Sequence, residues 1–165
     1  MSGKVIRLGL AALAVGAVSA WAGGKAIKAD QLPAAVVAAA NAACPGGTIK
    51  DIEKEKDDGA VVYEVEMTAG GKGCDLKIAA DGTVLETEQQ VAVEDLPKKV
   101  QATLASFANA AVKKAELVKE KDAAALYEIN IVMTGQAMEL KINEKGQIIE
   151  LETKGKKKGE KEDDD

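Results

Sequence analysis

Residues 32–88, LPAAVVAAANAACPGGTIKDIEKEKDDGAVVYEVEMTAGGKGCDLKIAADGTVLETE, decide the fold because residues 96–152 repeat their order. Leu32-Pro33 returns as Leu96-Pro97, and Tyr63-Glu64-Val65 returns as Tyr127-Glu128-Ile129. Leu76-Lys77-Ile78 returns as Leu140-Lys141-Ile142, and Val84-Leu85-Glu86 as Ile148-Ile149-Glu150. Each return is 64 positions on, since 96 − 32 = 64. A fixed period of this length marks a duplicated structural unit.

Within each copy the apolar period changes once. Leu32, Val36, Ala40, Ala43 and Cys44 recur at helical spacing, with Asp30 or Gln31 as the expected cap, and Pro45-Gly46-Gly47 ends the helix. Asp95 is the matching cap in the second copy, and Leu96, Val100, Leu104, Phe107 and Ala108 form the matching face. The period then drops to two. Val61, Tyr63, Val65 and Met67 alternate with Val62, Glu64, Glu66 and Thr68. Strands are expected over residues 48–56, 61–68, 74–78 and 83–89, then over 112–121, 126–133, 137–143 and 147–153. Gly70-Gly71, Asp81-Gly82, Thr134-Gly135 and Lys145-Gly146 mark hairpin tips.

The fold class is therefore α+β. Two tandem units, residues 31–90 and 95–153, each carry one helix and a four-stranded antiparallel sheet, with Gln90–Glu94 as the joint. One continuous curved sheet of eight strands with helices on one face is the economical arrangement, and two separate small sheets are the alternative. Leu32, Val36, Leu76, Ile78 and Leu85 should be buried, as should Leu96, Val100, Leu140, Ile142 and Ile149.

The ends read differently. Lys4 and Arg7 precede the apolar run Leu8–Val18, and Ala20-Trp21-Ala22 offers a small-residue cleavage site after Ala22, with cleavage after Ala20 as the variant. Residues 1–22 thus read as a secretory signal peptide, too short for a spanning helix. Residues 23–30 read as a flexible lead-in, and 154–165, basic then acidic, as a disordered tail. The expected location is periplasmic or secreted, in a bacterial envelope, with no membrane span after signal removal.

The whole chain has a formal charge of −5, and loss of Lys4 and Arg7 takes the remainder to −5 − 2 = −7. That remainder has no Arg, no His and only Ser106 as a serine. Ser/His and Cys/His catalysis fail on inventory. The expected carboxylate pairs lie on exposed strand positions, where nothing would raise a pKa for general-acid work. Nucleic acid is excluded by the lack of a basic footprint. Gly70-Gly71-Lys72-Gly73 lacks the phosphate-loop spacing and reads as a hairpin tip.

The ordered set Leu-Pro-x-x-Val on a helix, Tyr-Glu-Val/Ile, Leu-Lys-Ile and x-Gly-x-Val/Ile-x-Glu resembles the PepSY-like family over residues 31–152. The resemblance implies exported bacterial proteins with a fold similar to a β-lactamase-inhibitor protein, and it carries over no catalytic residue. Those inhibitors present an aromatic-rich sheet face. This chain offers only Tyr63, Phe107 and Tyr127 after the signal, all expected in the core, so the resemblance is one of fold.

Two groups of residues are candidates for chemistry. Cys44 and Cys74 stand in an exported chain where disulfides persist; two buried free thiols, a redox pair or a metal site are the other readings. On the outward sheet face, two-residue tips would place Glu64, Lys77 and Glu86 in one cross-strand row, repeated as Glu128, Lys141 and Glu150. The same arithmetic aligns Glu66, Asp75 and Glu88 with no lysine between them, against Asn130, Glu139 and Glu152 in the second unit. That acidic row is the expected place for a basic partner or a cation. Only oxygen ligands are on offer, so calcium is the cation it would suit, although no metal ligand is assigned. The function expected is a non-enzymatic binding module for an envelope protein or peptide, with a calcium-binding envelope protein as the alternative.

Overall fold

A computed structural model describes residues 24–154. The signal-like residues 1–22 and the charged run 155–165 lie outside the described residues. The element order is β1 (Lys25–Ala26), α1 (Ala34–Ala43), β2 (Thr48–Asp57), β3 (Ala60–Ala69), β4 (Lys72–Ala79) and β5 (Val84–Gln90), then α2 (Lys98–Ala105), β6 (Ala111–Glu120), β7 (Leu126–Met133), β8 (Gln136–Asn143) and β9 (Ile148–Lys154). All strands pair antiparallel with their sequence neighbours in one sheet of nine, β1 to β9 in order. The eight-stranded expectation is one strand short. Part of the expected lead-in is the extra edge strand: Lys25 and Ala26 pair with Lys54 and Glu53, and Ile27 N–H donates to Ile52 carbonyl.

Both helices cover the same side of the sheet. Val36 and Ala40 of α1 pack with Ile52, Val65, Leu76 and Ile78 in one core, and Val100 and Leu104 of α2 pack with Ile129, Leu140 and Ile142 in a second. Burying a side chain such as Leu76 contributes about 1.5–3 kcal/mol, so these two clusters supply the driving force for the fold. Each helix begins directly after a proline, Pro33 or Pro97, in extended conformation, with no side-chain cap. The expected caps Asp30 and Asp95 instead lie in short 3-10 turns before the prolines. α2 also stops at Ala105, so Ala108 is exposed and Phe107 only half-buried.

The hairpin after β4 has three residues at its tip, not two. Ala79 N–H donates to Thr83 carbonyl and Gly82 N–H to Ala79 carbonyl, with Gly82 at φ 89°. Three-residue tips with a left-handed glycine are a common hairpin solution. Near the tip Ile78 faces Val84; one residue further, Lys77 faces Glu86, and Leu85 is the extra residue of a β-bulge. The added tip residue and the bulge cancel, so the expected pairing beyond Leu85 is correct although the tip was misjudged. The same happens after β8: Asn143 N–H donates to Gln147 carbonyl, Ile142 faces Ile148, Lys141 faces Glu150, and Ile149 bulges. A bulged residue leaves the alternation. Leu85 is accordingly only half-buried and Ile149 is 49% exposed, which corrects their expected burial.

These two tips also seat the helices. A Cβ on Gly82 would lie 2.9 Å from Ala35 carbonyl oxygen, and one on Gly146 would lie 2.6 Å from Lys99 carbonyl oxygen. Thr103 Oγ1 adds a 2.6 Å bond to Gly146 carbonyl.

An acidic sheet face and its buried carboxylates

Alternation puts the carboxylates on the sheet side away from both helices. Glu64 faces Lys77 and Lys77 faces Glu86; Glu66 faces Asp75 and Asp75 faces Glu88. In the second half Glu128, Lys141 and Glu150 align, as do Asn130, Glu139 and Glu152. Both expected rows are therefore in register. The ion pairs differ between them. Lys141 Nζ lies 2.9 Å from Glu150, as a register ladder requires. Lys77 Nζ instead reaches past β3 to Glu55 at 3.1 Å and Asp57 at 2.9 Å. Among the described residues the Glu64–Lys77–Glu86 row is thus in register with no ion pair between its own members.

The larger correction concerns exposure. Glu64, Glu88, Glu116, Glu128, Glu139 and Lys141 are all buried, although they stand on the face expected to be solvated. Neighbouring side chains on this face cover one another. Three carboxyl oxygens, Glu64 Oε2, Glu88 Oε1 and Glu128 Oε2, are buried without a hydrogen-bond partner. Orphaned acceptors of this kind are rare and costly.

Burial raises these carboxyls. Glu64 is pushed up to about 7 by burial, with the charge and hydrogen bond of Glu55 adding to it and Lys77 opposing. Glu88 is pushed to about 8 by burial, reinforced by its bond to Glu86 and the charge of Glu116. Glu128 reaches about 7 through burial and the neighbouring Glu139. Asp75 rises to about 6 by burial, with Lys114 opposing and Glu66 and Glu116 adding. Burial disfavours the charged form, and nearby like charges deepen the effect. The sequence expectation that nothing on these strands raises a carboxyl pKa is therefore wrong.

The tightest grouping departs from the expected row. Asp75, Glu88 and Glu116 each offer an oxygen, all within 4.8 Å of one another. Glu116 replaces Glu66, which stays exposed and lines a shallow pocket with Asp51, Glu53 and Glu64. Glu116 enters because β5 pairs with β6, Gln90 facing Glu116 and Glu88 facing Val118, so Glu116 sits diagonally beside Glu88. No tight turn announces this pairing, since α2 lies between the strands. Lys114 Nζ sits 2.6 Å from Glu116 Oε1. Cys44 and Cys74 form a disulfide with Cα atoms 6.5 Å apart, within the usual range, closing the end of α1 onto β4. It lies on the helix side, away from the acidic face.

Solved structures share this arrangement of the chain at the level of fold. A BLIP-like protein from Bacteroides fragilis superposes with TM-score 0.59 at 20% identity, covering 74% of this chain and 86% of that one. A protein from Bacteroides eggerthii, described as a candidate periplasmic protein, gives TM-score 0.61 at 15% identity, covering 74% and 88%. A DUF2874 family protein from Bacteroides ovatus gives TM-score 0.59 at 18% identity, covering 75% and 89%. At these identities the likeness is one of fold, and the fold is BLIP-like. The family model described as beta-lactamase-inhibitor-like, PepSY-like matches residues 63–150, and that of the peptidase propeptide and YPEB domain (PepSY) matches residues 33–88. The chain belongs to the PepSY-like family. No curated protein matches it. Among the described residues no helix is long and apolar enough to cross a membrane.

Proposed function

We propose that this chain is an exported, non-catalytic binding module whose acidic sheet face takes a basic, extended segment of an envelope protein or peptide, and whose halves are tandem copies of one unit. The observation that carries the reading is the imbalance on that face. Lys77, Lys114, Lys141 and Lys154 are each already bonded to a carboxylate, whereas Glu64, Glu88 and Glu128 each keep a buried oxygen without a partner. A Lys- or Arg-bearing segment supplies donors and positive charge, and charge complementarity of this kind steers association. The signal-like start of the sequence supports export. The raised carboxyls would suit proton transfer, but the chain has no His, and its only serine beyond the signal, Ser106, is exposed and donates to Thr103 carbonyl. The fold by itself does not set the partner.

Fluorescence anisotropy with an alternating Lys/Thr peptide, in EDTA at low salt, tests this reading. Binding that weakens with salt, weakens again in Glu66→Gln/Glu86→Gln, and is absent for a Glu/Thr peptide is the expected result. Equal binding of both peptides, or none of either, would refute it.

A further inference from the structure

We propose that Asp75, Glu88 and Glu116 form a site for a divalent cation of the calcium class at the seam between the two halves of the sheet. Asp75 and Glu88 come from β4 and β5 of the first half, and Glu116 from β6 of the second. Their oxygens lie within 4.8 Å of one another. Oxygens that close share a centre no more than about 2.8 Å from each, so a shift of a few tenths of an ångström brings all three to the roughly 2.3–2.6 Å that calcium takes. A second observation points the same way. Glu88 is 4% exposed and its Oε1 has no partner, so an acceptor is held at the cluster with nothing to accept from. A cation there supplies what the orphaned oxygen lacks.

The donor set selects the ion. Every ligand is a carboxylate oxygen, with neither imidazole nor free thiol available, which favours hard cations. Magnesium demands a near-ideal octahedron and keeps most of its waters. Calcium accepts irregular sets of six to eight oxygens, and three carboxylates with bound water meet that need. Lys114 is the built-in competitor. Its Nζ holds Glu116 Oε1, while the side chain is 46% exposed and free to swing into water when a cation arrives.

The position gives the ion a structural task. β5 and β6 share five register pairs, Glu86–Glu120 to Gln90–Glu116, against eight between β3 and β4. A cation held by both halves reinforces that shorter junction, so ligation should raise the melting temperature by mass action.

The test is calorimetric titration of calcium chloride into the chain without peptide, with magnesium chloride and matched sodium chloride as controls. The expected result is one saturable site, at least 10-fold weaker for magnesium, lost or weakened at least 10-fold in Asp75→Asn and Glu116→Gln, and retained or tightened in Lys114→Met. Melting curves in EDTA check that each variant is folded, and Lys114→Met leaves all three carboxylates in place should either of the others fail to fold. No calcium heat from wild type and Lys114→Met, several weak equivalent sites, or equal affinity in wild type and both carboxylate variants would overturn the site. Because the peptide experiment runs in EDTA and this one without peptide, either proposal fails without the other.

Discussion

The first half of the sheet, β2 to β5, and the second, β6 to β9, share an apolar side and differ on the acidic one. Leu76 and Leu140 hold equivalent places, both fully buried, and the bulges at Leu85 and Ile149 fall at the same register. Charge is handled differently. In the second half Lys141 pairs with Glu150, and Lys154 pairs with Glu139 while also donating to Asn130. In the first half Lys77 bonds Glu55 and Asp57, and Gln90 stands where the second half has Lys154, so Asp75, Glu66 and Glu88 have no lysine in their row. Core packing constrains the helix side through shape. The other side is free to vary, and the carboxyl groups of Asp75 and Glu88 gather where the first half meets Glu116.

The sharpest way to break the equivalence of the two cores is truncation. Leu76→Ala and Leu140→Ala should each cost about 2–5 kcal/mol in urea unfolding, whereas Leu85→Ala and Ile149→Ala should cost about 1 kcal/mol or less. Similar losses at Leu140 and Ile149 would mean that the bulge does not turn Ile149 outward. The disulfide sharpens the asymmetry. Replacing Cys44 and Cys74 together with Ala should remove roughly 3–4 kcal/mol, the value for a closed loop of this length in the chain-entropy model. The second half has Ala108 and Met138 at those positions and holds its core without a bridge. Smaller again are the helix seats. Gly82→Ala and Gly146→Ala should each cost roughly 1–3 kcal/mol, because both positions need positive φ and a Cβ would meet the first turn of a helix. If only one of the two variants is destabilised, the two helices are not seated alike.

Much of this architecture was legible because two periodicities and a 64-residue offset all agreed. The register of Glu64 with Lys77 and of Glu128 with Lys141 followed from the tips at Gly70-Gly71 and Thr134-Gly135. Leu85 and Ile149 were misread because a bulge carries no composition of its own. Glu116 was missed because the β5–β6 pairing is set by long-range packing across α2, which no turn residue encodes. Burial of Glu64, Glu88 and Glu128 was missed for a related reason. Alternation tells which side of a sheet a residue faces, but not whether crowded neighbours on that side exclude water.

The most direct check of that buried acidic face is stability as a function of pH. Glu64, Glu88 and Glu128 hold their protons more tightly folded than unfolded, with folded values of about 7, 8 and 7 against an ordinary 4.5. Their contribution is fully present below about pH 4.5 and is lost as pH rises through 7 to 8, because the folded state then binds more protons than the unfolded one. The chain has no His to titrate in the same window. Urea unfolding in EDTA at pH 5 and pH 8.5 should therefore show the protein distinctly more stable at pH 5, with a smaller difference in Glu88→Gln. Stability that is flat or rises between pH 5 and 8.5, with no change of slope in Glu88→Gln, would contradict the account.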